Sequence, residues 1–110
     1  MGTVDAAIES RALAAVKALS CLGVVRAACL FGSHVEGTAD QWSDIDAAVF
    51  IEGVEQWDIH QRATAMALVM EKVGSEVEAH LFPASDLEDP PRGGFAKYIL
   101  HHGICIFEQQ

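Results

Sequence analysis

The chain has 110 residues, 51% of them apolar, and a formal net charge of −9 from 16 acidic and seven basic side chains. This length and composition predict a single domain over residues 1–110 with one substantial core. There is no run of about 18 apolar residues and no signal-like N-terminus, so we expect neither a membrane span nor export. The acidic balance argues against direct nucleic-acid binding and favours a basic protein partner.

Three cysteines stand apart along the sequence and form no CxxC pair. We therefore expect neither a disulfide framework nor a zinc site, and a reducing cytoplasm is the natural compartment. Cys29 alternates with apolar neighbours and is expected to be a small core side chain.

Helices and strands alternate in the predicted chain, which indicates an α+β or α/β fold with helices packed on a sheet. A helical crossover between the second and third strands favours parallel pairing there. A loop joins the first two strands, which allows antiparallel pairing and makes the sheet mixed. The expected elements, in chain order, are a helix over 4–20, a strand over 24–31, a short helical turn after Ser33, a loop over 37–42, a strand over 45–51, a helix over 56–73, a strand over 76–82, breaks at Pro83 and 89–91, a helix over 95–101 and a strand over 104–107.

The helix over 56–73 has the clearest helical periodicity, and its largest apolar side chains predict the buried face. This inner stripe consists of Ile59, Met66, Met70 and Val73. Two tryptophans, Trp42 and Trp57, flank the motifs described next, and we expect them to pack in the core or an interface rather than on a nucleobase.

Two motifs around the first pair of strands predict a site for a divalent metal and a nucleoside triphosphate. Asp44 and Asp46 stand at the head of the second strand and, two residues apart, point to one side of it. Two such carboxylates repel each other unless a cation lies between them, and Mg²⁺ favours carboxylate oxygens together with phosphates. Gly32 and Ser33 follow the first strand, where glycine permits close backbone approach and serine offers a hydroxyl to phosphate.

A third carboxylate usually completes such a site, where it binds metal and assists the acceptor hydroxyl. Glu76 and Glu78 are the candidates, because both are expected on one side of the third strand. His80 lies two residues further on the same side and could approach the site, although a polar surface position is the favoured interpretation for it.

At these residues the chain resembles the minimal nucleotidyltransferase (MNT) domains of the DNA polymerase β superfamily. Their pattern is Gly-Ser, ten residues and Asp-x-Asp, which here is Gly32-Ser33, the ten residues 34–43, and Asp44-Ile45-Asp46. The likeness covers most of residues 10–108. It implies a nucleotidyltransferase fold, a mixed β-sheet with helices packed on it.

By this resemblance, Asp44, Asp46 and Glu78 would be the catalytic and metal-binding residues, with Mg²⁺ as the ion. Gly32 and Ser33 would hold the phosphates of ATP or another nucleoside triphosphate. The third acid falls best on Glu78, because residues 77–83 match the family's valine–acid run that leads into a proline.

Many small domains of this kind resemble the antitoxin halves of toxin–antitoxin systems whose partner is a HEPN-domain ribonuclease. The implied reaction is transfer of AMP, or another nucleoside monophosphate, to a hydroxyl, in particular to a tyrosine of the HEPN-type toxin. Two departures bear on activity: Glu36 replaces a frequent arginine, and the third acid is Glu78 rather than aspartate.

Two other functions remain open at this point. One is an inactive or weak antitoxin that neutralises a basic HEPN partner by contact, which the acidity and Glu36 favour. The other is transfer to a small molecule such as an aminoglycoside, for which the chain is short. Edge strands and the apolar surplus favour self-association, for example as a homodimer.

Overall fold

A computed structural model describes residues 4–40 and 43–109 of the chain; Trp42 and the end of the predicted loop over 37–42 lie outside the described residues. Within the described ranges, no helix has the length and apolar character needed to cross a bilayer. Two 3₁₀ turns, Val54–Gln56 and Ala84–Leu87, accompany the regular elements. The helices are α1 (Ala6–Leu19), α2 (Ser33–Glu36), α3 (Ile59–Lys72) and α4 (Phe95–His102), and the strands are β1 (Val25–Phe31), β2 (Ile45–Ile51), β3 (Val77–Pro83) and β4 (Ile104–Glu108).

The four strands form one mixed sheet in the order β3-β2-β1-β4. β1 runs antiparallel to both β2 and β4, whereas β2 and β3 are parallel. The parallel pair is connected through α3, as a parallel connection requires a crossover, and the antiparallel pair is connected through α2 and a loop. The predicted elements and the mixed α+β fold are confirmed, and the largest difference is the start of α3.

Helices cover both faces of the sheet, so β2 at its centre is buried on both sides. On one face, α1 and α3 pack on a cluster that includes Ala47 and Val49 of β2. On the other face, α4 packs through Ile99 on Cys29 and Phe50. The expected core position of Cys29 is confirmed.

The buried face of α3 differs from the predicted one. Its buried residues are Ala65 and Val69, whereas Met70 is 58% exposed and Ile59 is 79% exposed. With about 100° of rotation per residue, this face lies roughly a quarter-turn from the predicted stripe. Small side chains at the contact let α3 approach α1 and the sheet closely, and the larger apolar side chains remain outside. The expectation that Met66 and Met70 belong to the core is therefore wrong.

The start of α3 is fixed by a capping box that the periodicity did not reveal. The Asp58 carboxylate accepts a hydrogen bond from the Gln61 amide at 2.8 Å, and the Gln61 side chain accepts one from the Asp58 amide at 2.9 Å. Trp57 precedes this cap and packs on the core, as expected. It lies beside Ile51 at the far end of β2, so it does not flank the predicted site.

Candidate functional site

Gly32 brings the backbone between β1 and α2 directly against Asp46. Its φ of +84° is rarely adopted by other residues, and a Cβ at this position would lie 2.5 Å from Asp46 Oδ2. A glycine is thus required here for two reasons, backbone conformation and space. The two sequence motifs, separated by ten residues, meet at this contact.

The short helix α2 is anchored on Gly32 and on the segment before β2. The Gly32 carbonyl accepts hydrogen bonds from the Val35 and Glu36 amides, both at 3.0 Å. His34 Nε2 donates to the Ser43 carbonyl at 3.2 Å, since a carbonyl oxygen only accepts. This second contact, which the sequence reasoning missed, ties α2 to the residue that precedes Asp44. Ser33, the first residue of α2, is half-buried.

Parallel pairing of β2 and β3 places Asp46 beside Glu78. His80, two residues further along β3, joins them: its Nε2 lies 3.3 Å from Asp46 Oδ1 and 3.8 Å from Glu78 Oε1. One ligand atom from each of the three residues lies within 4.8 Å of the other two. We call these three residues the acid–imidazole cluster.

The three side chains of the acid–imidazole cluster differ in exposure. Those of Asp46 and His80 are 26% and 30% exposed, whereas that of Glu78 is 59% exposed. The His80 ring also makes an edge contact with Phe31, with ring centroids 5.1 Å apart, and Phe31 in turn contacts Phe95 at 5.2 Å. His80 thus approaches the site, which was the alternative to the favoured surface position. Strand alternation placed it on the right side, but the register of β2 on β3 was needed to show the contact with Asp46.

Asp44 lies just before β2, is exposed, and does not belong to the acid–imidazole cluster. It lines a groove of about 230 Å³ together with Glu78 and the side chains of Met66 and Met70 from α3. Asp44 and Glu78 therefore share one open groove between α3 and β3.

Glu76, the other candidate for the third acid, is engaged elsewhere. It precedes β3, and its carboxylate pairs with Arg11 Nη2 at 2.7 Å. The geometry thus brings Glu78 to Asp46 and leaves Glu76 outside the cluster.

The electrostatics of the acid–imidazole cluster favour a cation. Two carboxylates about 5 Å apart repel by about 3 kcal/mol at an effective dielectric of about 20, and water around Glu78 reduces this value. Three arginines make other contacts and do not offset the charge. Arg11 pairs with Glu76, Arg26 pairs with Glu52, and Arg62 donates to the carbonyls of Val54 and Trp57. Two oxygen donors and one imidazole nitrogen form a donor set that suits a divalent metal.

Comparison with known proteins supports the fold. A crystal structure of a toxin–antitoxin with AMP-PNP is similar over 93% of this chain and 74% of that one, with a TM-score of 0.61 and 21% identity. A candidate nucleotidyltransferase from Sulfolobus solfataricus is similar over 99% of this chain and 93% of its own, with a TM-score of 0.55 and 17% identity. At these identities the two structures establish the shared fold.

No curated protein sequence matches the chain. The model of the family described as Polymerase beta, Nucleotidyltransferase matches residues 16–110, which is most of the chain. This match places the Gly-Ser turn, the Asp-x-Asp motif and the acid–imidazole cluster inside the family domain. The chain therefore belongs to the polymerase beta nucleotidyltransferase family.

Proposed function

We propose that this domain transfers AMP, or another nucleoside monophosphate, from a nucleoside triphosphate to a hydroxyl group. The observation that carries the proposal is the contact between the Gly32 backbone and the Asp46 carboxylate. It joins a turn suited to phosphate with a carboxylate suited to a metal, and nucleotidyl transfer needs both within one site. Membership of the polymerase beta nucleotidyltransferase family supports the same reaction class.

Asp44, Asp46 and Glu78 would hold Mg²⁺, and Gly32 with Ser33 would hold the triphosphate tail. When bound by these carboxylates, the ion would supply positive charge to offset the negative charge that develops during transfer. The reaction forms a bond between the acceptor oxygen and the α-phosphorus and breaks the bond to the leaving pyrophosphate. Glu78, whose side chain is 59% exposed, would accept the proton of the acceptor hydroxyl.

We further propose that the acceptor is a tyrosine of a HEPN-type toxin and that the domain acts as the antitoxin, in the cytoplasm. The similar structure of a toxin–antitoxin with AMP-PNP supports a toxin as the partner and a nucleotide as the ligand. A net charge of −9 suits a basic partner, because complementary charge speeds association and excludes wrong partners.

The experiment is a labelling assay with α-³²P-ATP, Mg²⁺ and a HEPN-type toxin as the acceptor protein. Transfer of label to that protein is expected from the wild type and not from the double variant Asp44→Ala/Asp46→Ala. The control Glu55→Ala/Glu71→Ala removes two exposed carboxylates elsewhere and should keep the activity. Equal labelling by the wild type and the Asp44/Asp46 variant would end the catalytic assignment.

A second function, neutralisation by contact alone, is favoured by one feature of the site. Glu36 in α2 adds a negative charge beside the turn that would hold phosphate. Toxin inhibition measured with the Asp44→Ala/Asp46→Ala variant separates the two functions. If the variant still neutralises the toxin, binding is sufficient; if neutralisation is lost while binding persists, transfer is required.

A further inference from the structure

We propose that His80 is a metal ligand and that the site prefers a first-row transition ion such as Mn²⁺ or Co²⁺ over Mg²⁺. This inference rests on the proposed function in that it concerns the metal of the same site. Its basis is the position of His80, which the Asp-x-Asp pattern does not include. The imidazole nitrogen, Asp46 and Glu78 present three donor atoms within 4.8 Å of one another.

The distances in the acid–imidazole cluster are close to those between neighbouring ligands of one ion. Adjacent ligands of an octahedral ion with bonds of about 2.1 Å stand about 3.0 Å apart. His80 Nε2 lies 3.3 Å from Asp46 Oδ1 and 3.8 Å from Glu78 Oε1. The distance between His80 and Asp46 must shorten by a few tenths of an ångström to match this spacing. The distance between His80 and Glu78 must shorten more, and the exposed, longer side chain of Glu78 can move to shorten it.

The two less exposed donors are held in place before any metal binds. The His80 ring contacts Phe31, which is itself packed against Phe95. The Asp46 carboxylate is confined on its other side by Gly32. Donors fixed in this way lose little conformational freedom on binding, which favours a real ligand role over a chance contact.

The choice of ion follows from the nitrogen donor. Mg²⁺ favours oxygen ligands and retains several waters, so an imidazole adds little to its binding. Transition ions accept imidazole well, and their affinity for mixed nitrogen and oxygen sites rises from Mn²⁺ to Co²⁺ and beyond. Binding would require Nε2 to offer its lone pair, with the ring proton on Nδ1.

The test is pulsed EPR of the full chain with one equivalent of Mn²⁺, without nucleotide or acceptor. We expect coupling to a ¹⁴N nucleus in the wild type and its loss in His80→Gln. The control His60→Gln changes an exposed histidine of α3 and should retain the coupling. A wild-type spectrum without nitrogen coupling, or coupling that survives in a folded His80→Gln variant, would overturn the proposal.

Calorimetric titration with Co²⁺ and Mg²⁺ provides the second measurement. The change His80→Gln should weaken Co²⁺ binding by about tenfold or more and alter Mg²⁺ binding by less than about twofold. Equal losses for both ions would contradict a specific nitrogen ligand. Because no nucleotide is present, nitrogen coupling without transfer activity would refute the proposed function alone. Transfer activity without nitrogen coupling would refute the His80 assignment alone.

Discussion

Replacement of Gly32 by alanine tests the contact on which the proposed site depends. The added Cβ would lie 2.5 Å from Asp46 Oδ2, so the carboxylate or the turn must move by roughly 0.5–1 Å to restore a normal contact. The positive φ of +84° adds about 1–2 kcal/mol of backbone strain for a residue with a side chain. We expect Gly32→Ala to lower the free energy of unfolding by about 1–3 kcal/mol and to weaken metal binding severely.

Gly37 offers a matched control in the same segment. Its φ is +82°, nearly that of Gly32, but a Cβ there would meet nothing within 4 Å. Gly37→Ala should therefore show a similar backbone cost of about 1–2 kcal/mol in urea unfolding and retain metal binding. Mn²⁺ affinity and nucleotide transfer would be measured on both variants. Equal effects of the two substitutions on metal affinity would refute the role assigned to the Gly32–Asp46 contact.

Four further expectations concern the core, the α3 surface, a cysteine and the charge beside the turn. Phe50 is fully buried, so Phe50→Ala should cost about 3–5 kcal/mol in chemical denaturation. Met70 is 58% exposed, so Met70→Gln should change stability by less than about 0.5 kcal/mol, and a loss above about 2 kcal/mol would contradict its exposed position. Burial raises the pKa of the Cys29 thiol from 9.0 to about 12, which leaves about a thousandfold less thiolate at pH 8. Iodoacetamide should accordingly modify the other two cysteines of the folded protein and spare Cys29, as read by mass spectrometry. Glu36→Arg should tighten ATP binding by about five- to thirtyfold, because a two-unit change of charge beside the turn contributes about 1–2 kcal/mol to the binding free energy. The control Glu55→Arg makes the same change of charge in a 3₁₀ turn and should have a smaller effect on ATP binding.

The elements could be read from the sequence wherever local pattern and packing agree. β2 was predicted at its observed bounds, because it is a short apolar run between polar segments. The face of α3 could not be read in this way. Its contacts depend on how closely α3 approaches α1, which favours Ala65 and Val69 over the larger Met66 and Met70.

The motifs of the site could be predicted from the sequence, but not all the contacts between them. Gly32 and Asp46 stand out by residue type and spacing, and the structure brings them into contact. His80 required knowledge of which residues face each other across β2 and β3, and strand alternation alone does not supply that register. Glu76 instead forms a salt bridge with Arg11, which lies 65 positions earlier in the chain. No local sequence pattern indicates this partner.

The acidity of the chain and the chemistry of its site are linked by the need for a cation. Asp46, Glu78 and Glu36 place negative charge around the turn that would receive a triphosphate, itself a polyanion. Without a metal, each of these charges opposes nucleotide binding. A divalent ion bound in the acid–imidazole cluster would offset the charges of Asp46 and Glu78 and attract the triphosphate. Of the three carboxylates, Glu36 alone would then still repel it. The affinity for nucleotide should therefore depend on metal concentration far more steeply than in a site lined by arginine. Neutralisation of a toxin by contact alone, the rival function, requires neither the ion nor the nucleotide.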